Sequence, residues 1–162
     1  MYEPRFHVVL YQPEIAYNAG AVGRTCVACA AKLWLVRPLG FRITDRHLRR
    51  AGLDYWPYLE WEVVDDWERL RTRLENHRFW FLSKRGRRTY CEATFAEGDV
   101  FVFGAESTGL PGEMLARHRD ESLRIPIRPD VRSLNLSVSA GIVLFEASRQ
   151  VGFLPETAPD SL

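Results

Sequence analysis

Arg24 follows two glycines in the run Asn18-Ala-Gly20-Ala-Val-Gly23-Arg24. On a helix Gly20 and Arg24, four apart, share one face. Each glycine inside a helix costs about 1 kcal/mol relative to alanine. That loss is tolerable where the backbone must lie close to another helix or a ligand, so Arg24 is placed to reach a buried or interfacial anion. A second candidate is Gly104-Ala-Glu-Ser-Thr-Gly109, which directly follows the apolar run Val100 to Phe103. It matches the first half of a phosphate-binding loop, but Leu110-Pro111 stands where Lys-Ser/Thr would reach phosphate and magnesium, and Pro111 has no amide to donate. Nucleoside triphosphate binding is thereby excluded. Ser107 has the spacing of a hydrolase nucleophile, yet only Glu113 and then His118 follow as partners, which does not make a triad. What survives is a tight glycine loop carrying one carboxylate, Glu106, at a strand's carboxyl end. Cys26 and Cys29 form a lone Cys-x-x-Cys with Cys91 far away and the histidines scattered. One such pair cannot close a tetrahedral zinc site, so the thiols read as small core residues and no metal is expected.

The third stretch runs from Arg124 to Ala147. A strand from Ser122 to Ile127 is broken by Pro126 and Pro129, which remove ladder donors. Ser133 and Asn135 are N-cap candidates for the helix that follows. That helix, from about Leu136 to Arg149, is apolar nearly all round between Val138 and Phe145. Such a helix must be buried on every side, in a core or against another subunit. Prolines, free backbone groups and short polar side chains at a strand's end are the materials of a ligand crevice.

Charge adds a partner class. The net charge is only +1, but Arg42, Arg46, His47, Arg49 and Arg50 crowd one segment, and Lys84, Arg85, Arg87 and Arg88 another. Two basic clusters on a near-neutral chain suggest a polyanion footprint on one face.

These residues need a scaffold. Short apolar strands at Phe6 to Tyr11, Lys32 to Val36, Glu62 to Val64, Phe79 to Leu82 and Val100 to Phe103 alternate with helices. Helices are expected from Asn18 to Ala31, from Thr44 to near Gly52, from a cap at Asp66 to about Asn76, and from Pro111 to near His118. The alternation implies an α/β fold, a mostly parallel sheet covered by helices on both faces. Residues 1 to 152 read as one domain and 153 to 162 as a loosely held tail. With 162 residues, 46% apolar and 27% charged, the chain can build its own core. No run approaches the ~18 apolar residues of a membrane span, and Met1-Tyr-Glu-Pro-Arg5 is no signal peptide. Three cysteines suit a reducing compartment, so a cytoplasmic location is expected.

Taken in order, Asn18-x-Gly20-x3-Arg24, Phe103-Gly-Ala-Glu-Ser-Thr-Gly-Leu-Pro111 and Ile125-Pro-Ile127-x5-Ser133-Leu-Asn135-Leu-Ser137 resemble the three motifs of the SPOUT-class (SpoU-type) RNA ribose 2′-O-methyltransferases. The resemblance spans about Phe6 to Phe153. With no N-terminal RNA-binding extension, and with Leu48-Arg-Arg-Ala-Gly-Leu-Asp-Tyr55, the chain looks like the minimal subgroup acting on the wobble nucleotide 34, C or modified U, of tRNA-Leu. The resemblance implies a C-terminal trefoil knot, S-adenosylmethionine as cofactor and a homodimer that takes the tRNA anticodon stem-loop. It implies cofactor contacts, mostly from backbone, at Leu82, Gly104, Ile125, Ile127, Ser133 and Leu134. Asn18, Arg24, Glu106, Ser133 and Asn135 match its catalytic positions. Arg46, Arg49, Arg50, Lys84, Arg85, Arg87 and Arg88 are the candidate RNA contacts. Two alternatives stay open: methylation of another tRNA or rRNA site, and an RNA-binding protein that keeps the fold without turnover.

Overall fold

The structure is a computed structural model that describes residues 2–43 and 55–153. Seven strands form one sheet in the order β3-β2-β1-β6-β4-β7-β5. They are β1 (Phe6–Tyr11), β2 (Ala31–Val36), β3 (Trp61–Val64), β4 (Phe79–Leu82), β5 (Arg88–Thr89), β6 (Val100–Phe103) and β7 (Ser122–Arg124). Every neighbouring pair is parallel. A parallel sheet is covered on both faces, so its central strands need no polar side. The continuous runs Phe-His-Val-Val-Leu and Val-Phe-Val-Phe follow from that.

Side-chain alternation along each strand divides the core in two. Val8, Leu10, Leu33, Leu35, Phe101 and Phe103 pack against α1 (Ala16–Ala28) and α4 (Leu136–Gln150). Val9, Trp34, Val36, Phe79, Phe81 and Val102 pack against α2 (Trp67–Arg73), with Met114 and Leu115 of α3 (Gly112–Arg117) at the margin. In α4 the buried stripe Ala140, Val143, Leu144 and Ala147 has helical spacing. The amino end of the sheet is stapled by Asp99. Its buried carboxylate accepts from Arg78, Trp80 Nε1 and the Ala96 amide, so this buried charge is committed to structure.

Several expected boundaries shift. α1 stops at Ala28, because Ala30 turns the chain at positive φ (52°) and Ala31 already pairs with Phe6 in β2. The last strand ends at Arg124 rather than Ile127, before Pro126 could leave a gap in the ladder. α2 ends at Arg73, three residues early, although Asp66 caps it as expected by accepting from Arg69 N. Ser133 is not the cap of α4. Asn135 is, accepting from Ser137 N at 2.8 Å. Arg88 and Thr89, outside every expected strand, form the edge strand β5. Within the single chain α4 is covered on only part of its surface: Val138 and Phe145 stay about half exposed. The expected helix from Thr44 to Gly52 and the tail from 154 onward lie outside the described residues.

Candidate active site

From β1 the strand order runs outward to β2 and β3 on one side and to β6, β4 and β7 on the other. Loops at the carboxyl ends on the two sides of such a reversal separate and leave a crevice. A cavity of about 590 Å³ lies there. Its walls are the loops that follow β4, β6 and β7, with Ile15 and Asn18 at the start of α1.

All six residues expected to contact a cofactor line this cavity: Leu82, Gly104, Ile125, Ile127, Ser133 and Leu134. Four of the five candidate catalytic residues line it too: Asn18, Glu106, Ser133 and Asn135. The glycine at 104 is dictated by close approach. A Cβ there would lie 2.2 Å from the carbonyl carbon of Gly109, so only a bare backbone lets the 104–109 loop close on itself.

Two carboxylates clasp this loop to the entry of α1. Glu106 accepts from Glu14 N at 2.7 Å, Ile15 N at 3.1 Å and Asn18 Nδ2 at 3.1 Å. Glu14 returns the favour, accepting from Ser107 N and from Ser107 Oγ, both at 2.7 Å. The Ser107 hydroxyl and amide hold the Glu14 carboxyl below its ordinary pKa. The chain of bonds continues, with Asn135 Nδ2 donating to Asn18 Oδ1 at 3.1 Å. Asn135 Oδ1 in turn caps α4 by accepting from Ser137 N and Oγ. Three loops remote in sequence are thus locked around one opening. Asn18 is buried at 5% exposure, and both its amide functions are spent inside this relay. Sequence reasoning missed Glu14. A carboxylate whose partner lies 93 residues on leaves no local pattern, and only its place beside Pro13 at the strand's end hinted at a crevice.

Arg24 is not brought into the cavity. It is exposed on α1, with its guanidinium 5.0 Å from the centre of the Tyr55 ring, and Tyr55 donates its hydroxyl to the Gly20 carbonyl. Gly23 faces the same segment: a Cβ would stand 2.9 Å from Leu59 Cδ2. Gly23 therefore admits the 55–59 turn. The thiols of Cys26 and Cys29 are fully buried, and burial raises both pKa values, which keeps them unreactive.

Of the basic residues, Lys84 and Arg85 stand at the cavity. Arg87 pairs with Asp120 at 2.6 Å, and Arg88 Nη2 donates to the Glu92 carbonyl. Arg132 lines the cavity as well; lying within a motif read for its serine and asparagine, it was passed over. Arg46, Arg49 and Arg50 lie outside the described residues. No group of acidic, cysteine or histidine side chains among the described residues could hold a metal ion, and no helix among them is long and apolar enough to cross a membrane.

Comparison with known proteins gives this geometry a family. The model of the SpoU rRNA Methylase family matches residues 5–145. The tRNA (cytidine(34)-2′-O)-methyltransferase of Methylovorus glucosotrophus is 45% identical over 149 residues, covering 91% of this chain and 97% of that protein. A solved structure described as giving "structural insights into the 2-OH methylation of C/U34 on tRNA" superposes with a TM-score of 0.85. It has 47% identity and covers 90% of this chain and 95% of that one. The AdoMet-bound rRNA methyltransferase of Sinorhizobium meliloti superposes at 0.77 with 26% identity, covering 92% of this chain and 61% of that one.

Proposed function

The chain belongs to the SpoU rRNA methylase family, and we propose that it moves a methyl group from S-adenosylmethionine to the ribose 2′-OH of nucleotide 34 in tRNA. One observation carries this reading: the three motif stretches meet at a single cavity, joined by the Glu106–Asn18–Asn135 relay. A volume of about 590 Å³ falls in the usual range for a pocket holding a small organic cofactor. Backbone of the 104–109 and 125–135 loops would hold S-adenosylmethionine, with Leu82, Gly104, Ile125, Ile127, Ser133 and Leu134 as its contacts.

The bound cofactor supplies a methyl already activated on sulfonium, so sulfur leaves as the thioether of S-adenosylhomocysteine while the ribose oxygen gains the methyl. The protein's task is alignment and charge. The clasp fixes the cavity wall and so the line of attack. A guanidinium makes a poor general base, so Arg24 does not take the proton. It acts instead by gripping the adjacent phosphate and stabilising the oxyanion that develops at O2′; the proton departs to phosphate or water.

Arg24 lies outside the cavity of its own chain, and an isologous homodimer resolves this by bringing it to the partner's cavity. Two facts support the pairing. Val138 and Phe145 leave apolar side chains on α4 exposed, as Tyr17 does on α1. A Cβ at Gly141 would meet nothing within 4 Å, which leaves room for another backbone. The reading includes a C-terminal trefoil knot. Supporting it, Gly86 presses so tightly on β7 that a Cβ would lie 2.2 Å from the Leu123 carbonyl carbon, and Arg124 donates to the carbonyls of Gly86 and Arg87.

The substrate proposed is tRNA-Leu with C or modified U at position 34. Purified protein, S-adenosylmethionine carrying a labelled methyl and tRNA-Leu lacking the modification should give label on the ribose of nucleotide 34. Label at another tRNA or rRNA nucleotide would redirect the reading, and cofactor binding without any transfer would refute catalysis.

A further inference from the structure

A second cavity, about 310 Å³, lies beside the first and shares Arg85 with it. Arg85 and Arg87 form one wall, Leu115, Ala116 and Arg119 the other, and Ser122 the base. The Ser122 hydroxyl is spent on the His118 carbonyl at 2.7 Å, so the walls, not the base, supply the recognition chemistry. Among the described residues, Arg87 alone of the three arginines has an ion-pair partner, Asp120; the guanidinium groups of Arg85 and Arg119 have neither an ion pair nor a hydrogen bond there. The segment carrying Arg85 and Arg87 is held in place by two bonds from Arg124 to the carbonyls of Gly86 and Arg87. Gly86 is pressed onto the β7 backbone. One cationic wall is therefore carried on an anchored loop and the other by α3 and the turn just past its end at Arg117.

We propose that this second cavity is a phosphodiester subsite, with Arg119 and Arg85 as its cations, for the RNA strand leaving the cofactor cavity. The proposal rests on the methyl-transfer reading above. Three arginines gathered at one cavity, two of them without an ion pair among the described residues, give a local positive field that suits a polyanion. The shared Arg85 makes the track continuous, so a strand whose reacting ribose sits at the first cavity has a neighbouring phosphate within the second. Arg119 had no part in any motif, and its role comes from its position opposite Arg85.

The test uses the full-length protein and unmodified tRNA transcript. Arg119→Ala should raise the KM for tRNA about three-fold or more at low salt and reduce the slope of log affinity against log salt by about 1. The maximal rate and cofactor affinity should not move. Arg119→Lys should restore most of the loss, because a phosphate accepts a point charge, and Asp120→Asn should tighten tRNA binding by releasing Arg87. An unchanged KM and salt slope in Arg119→Ala, with wild-type protein active, would overturn the subsite and leave the methyl-transfer reading intact. Wild-type protein that binds tRNA but transfers no methyl would overturn that reading, and the salt slopes would still decide the subsite. Heat from inorganic phosphate alone, lost in Arg119→Ala while the tRNA slope stays the same, would make this a free-anion pocket and overturn the RNA assignment.

Discussion

Glu106→Gln is the sharpest test of the clasp. The carboxylate takes three donors on two oxygens: Glu14 N at 2.7 Å, and Ile15 N and Asn18 Nδ2, both at 3.1 Å. A carboxamide of the same shape accepts at one atom only and donates at the other. Whichever way it turns, at least one backbone or side-chain donor then faces an NH2 group. Losing one hydrogen bond to a charged group amounts to about 1.5–3 kcal/mol, or a factor of roughly 10 to 150 in the equilibrium between clasped and unclasped loop. The 104–109 loop is a wall of the cavity, so the apparent dissociation constant for S-adenosylhomocysteine should rise by up to that factor. Calorimetric titration of the variant against wild type measures it, with circular dichroism to confirm folding. The transfer rate should fall further than affinity, because Asn18 loses its hold and with it Asn135. A Glu106→Gln protein with wild-type stability, affinity and rate would show that the clasp positions nothing.

Three other outcomes are expected. Arg24→Ala should leave cofactor affinity within a few-fold and lower the single-turnover rate by ~10²-fold or more, and Arg24→Lys should rescue little, since an ammonium cannot replace the planar fork. A variant turning over at the wild-type rate would remove Arg24 from the reaction. His7 is buried, its Nδ1 accepts from Trp34 Nε1 at 3.1 Å, and burial, then His77, lowers its pKa from 6.5 to about 4. The folded state thus binds fewer protons than the unfolded one between those values, so stability is full above pH 6.5 and falls by up to about 3 kcal/mol as pH drops through 4. Urea midpoints across that window should show the loss and His7→Gln should flatten it; parallel curves would contradict the assignment. Gly141→Arg places charge on the exposed apolar face of α4, and should yield monomers without methyl transfer in analytical ultracentrifugation and activity assays. Wild-type protein that sediments as a monomer while still methylating would defeat the two-chain site.

How far the fold could be read in advance follows from the range of the forces involved. Strand cores such as Phe6 to Leu10 and Val100 to Phe103 were legible because burial on both faces demands a nearly continuous apolar run, and four or five residues suffice to show one. Helix caps were legible where one side chain does the work locally, as at Asp66. At the other cap, two candidates two residues apart could be separated only by geometry, and the bond from Ser137 N selected Asn135. The end of α1 was not legible, because an alanine at positive φ carries no residue-type signal where glycine or asparagine would.

The candidate site divides along the same line. Backbone-lined pockets have no side-chain signature, so the cavity-lining residues Leu82, Ile125, Ile127 and Leu134 came only from resemblance. Glu106 was visible as a lone carboxylate in a glycine loop, but its partners lie about ninety residues away, and so does the partner of Glu14. The apolar run of α4 was read as burial on every side, and the single chain supplies that for only part of the helix. The remaining face, Val138 and Phe145 with Gly141 open between them, is surplus hydrophobicity for a monomer. Such a surplus is retained where a second surface covers it. The same helix pair that leaves this face bare also holds Arg24 away from its own cavity. One isologous contact would therefore satisfy the packing requirement and the chemical one together.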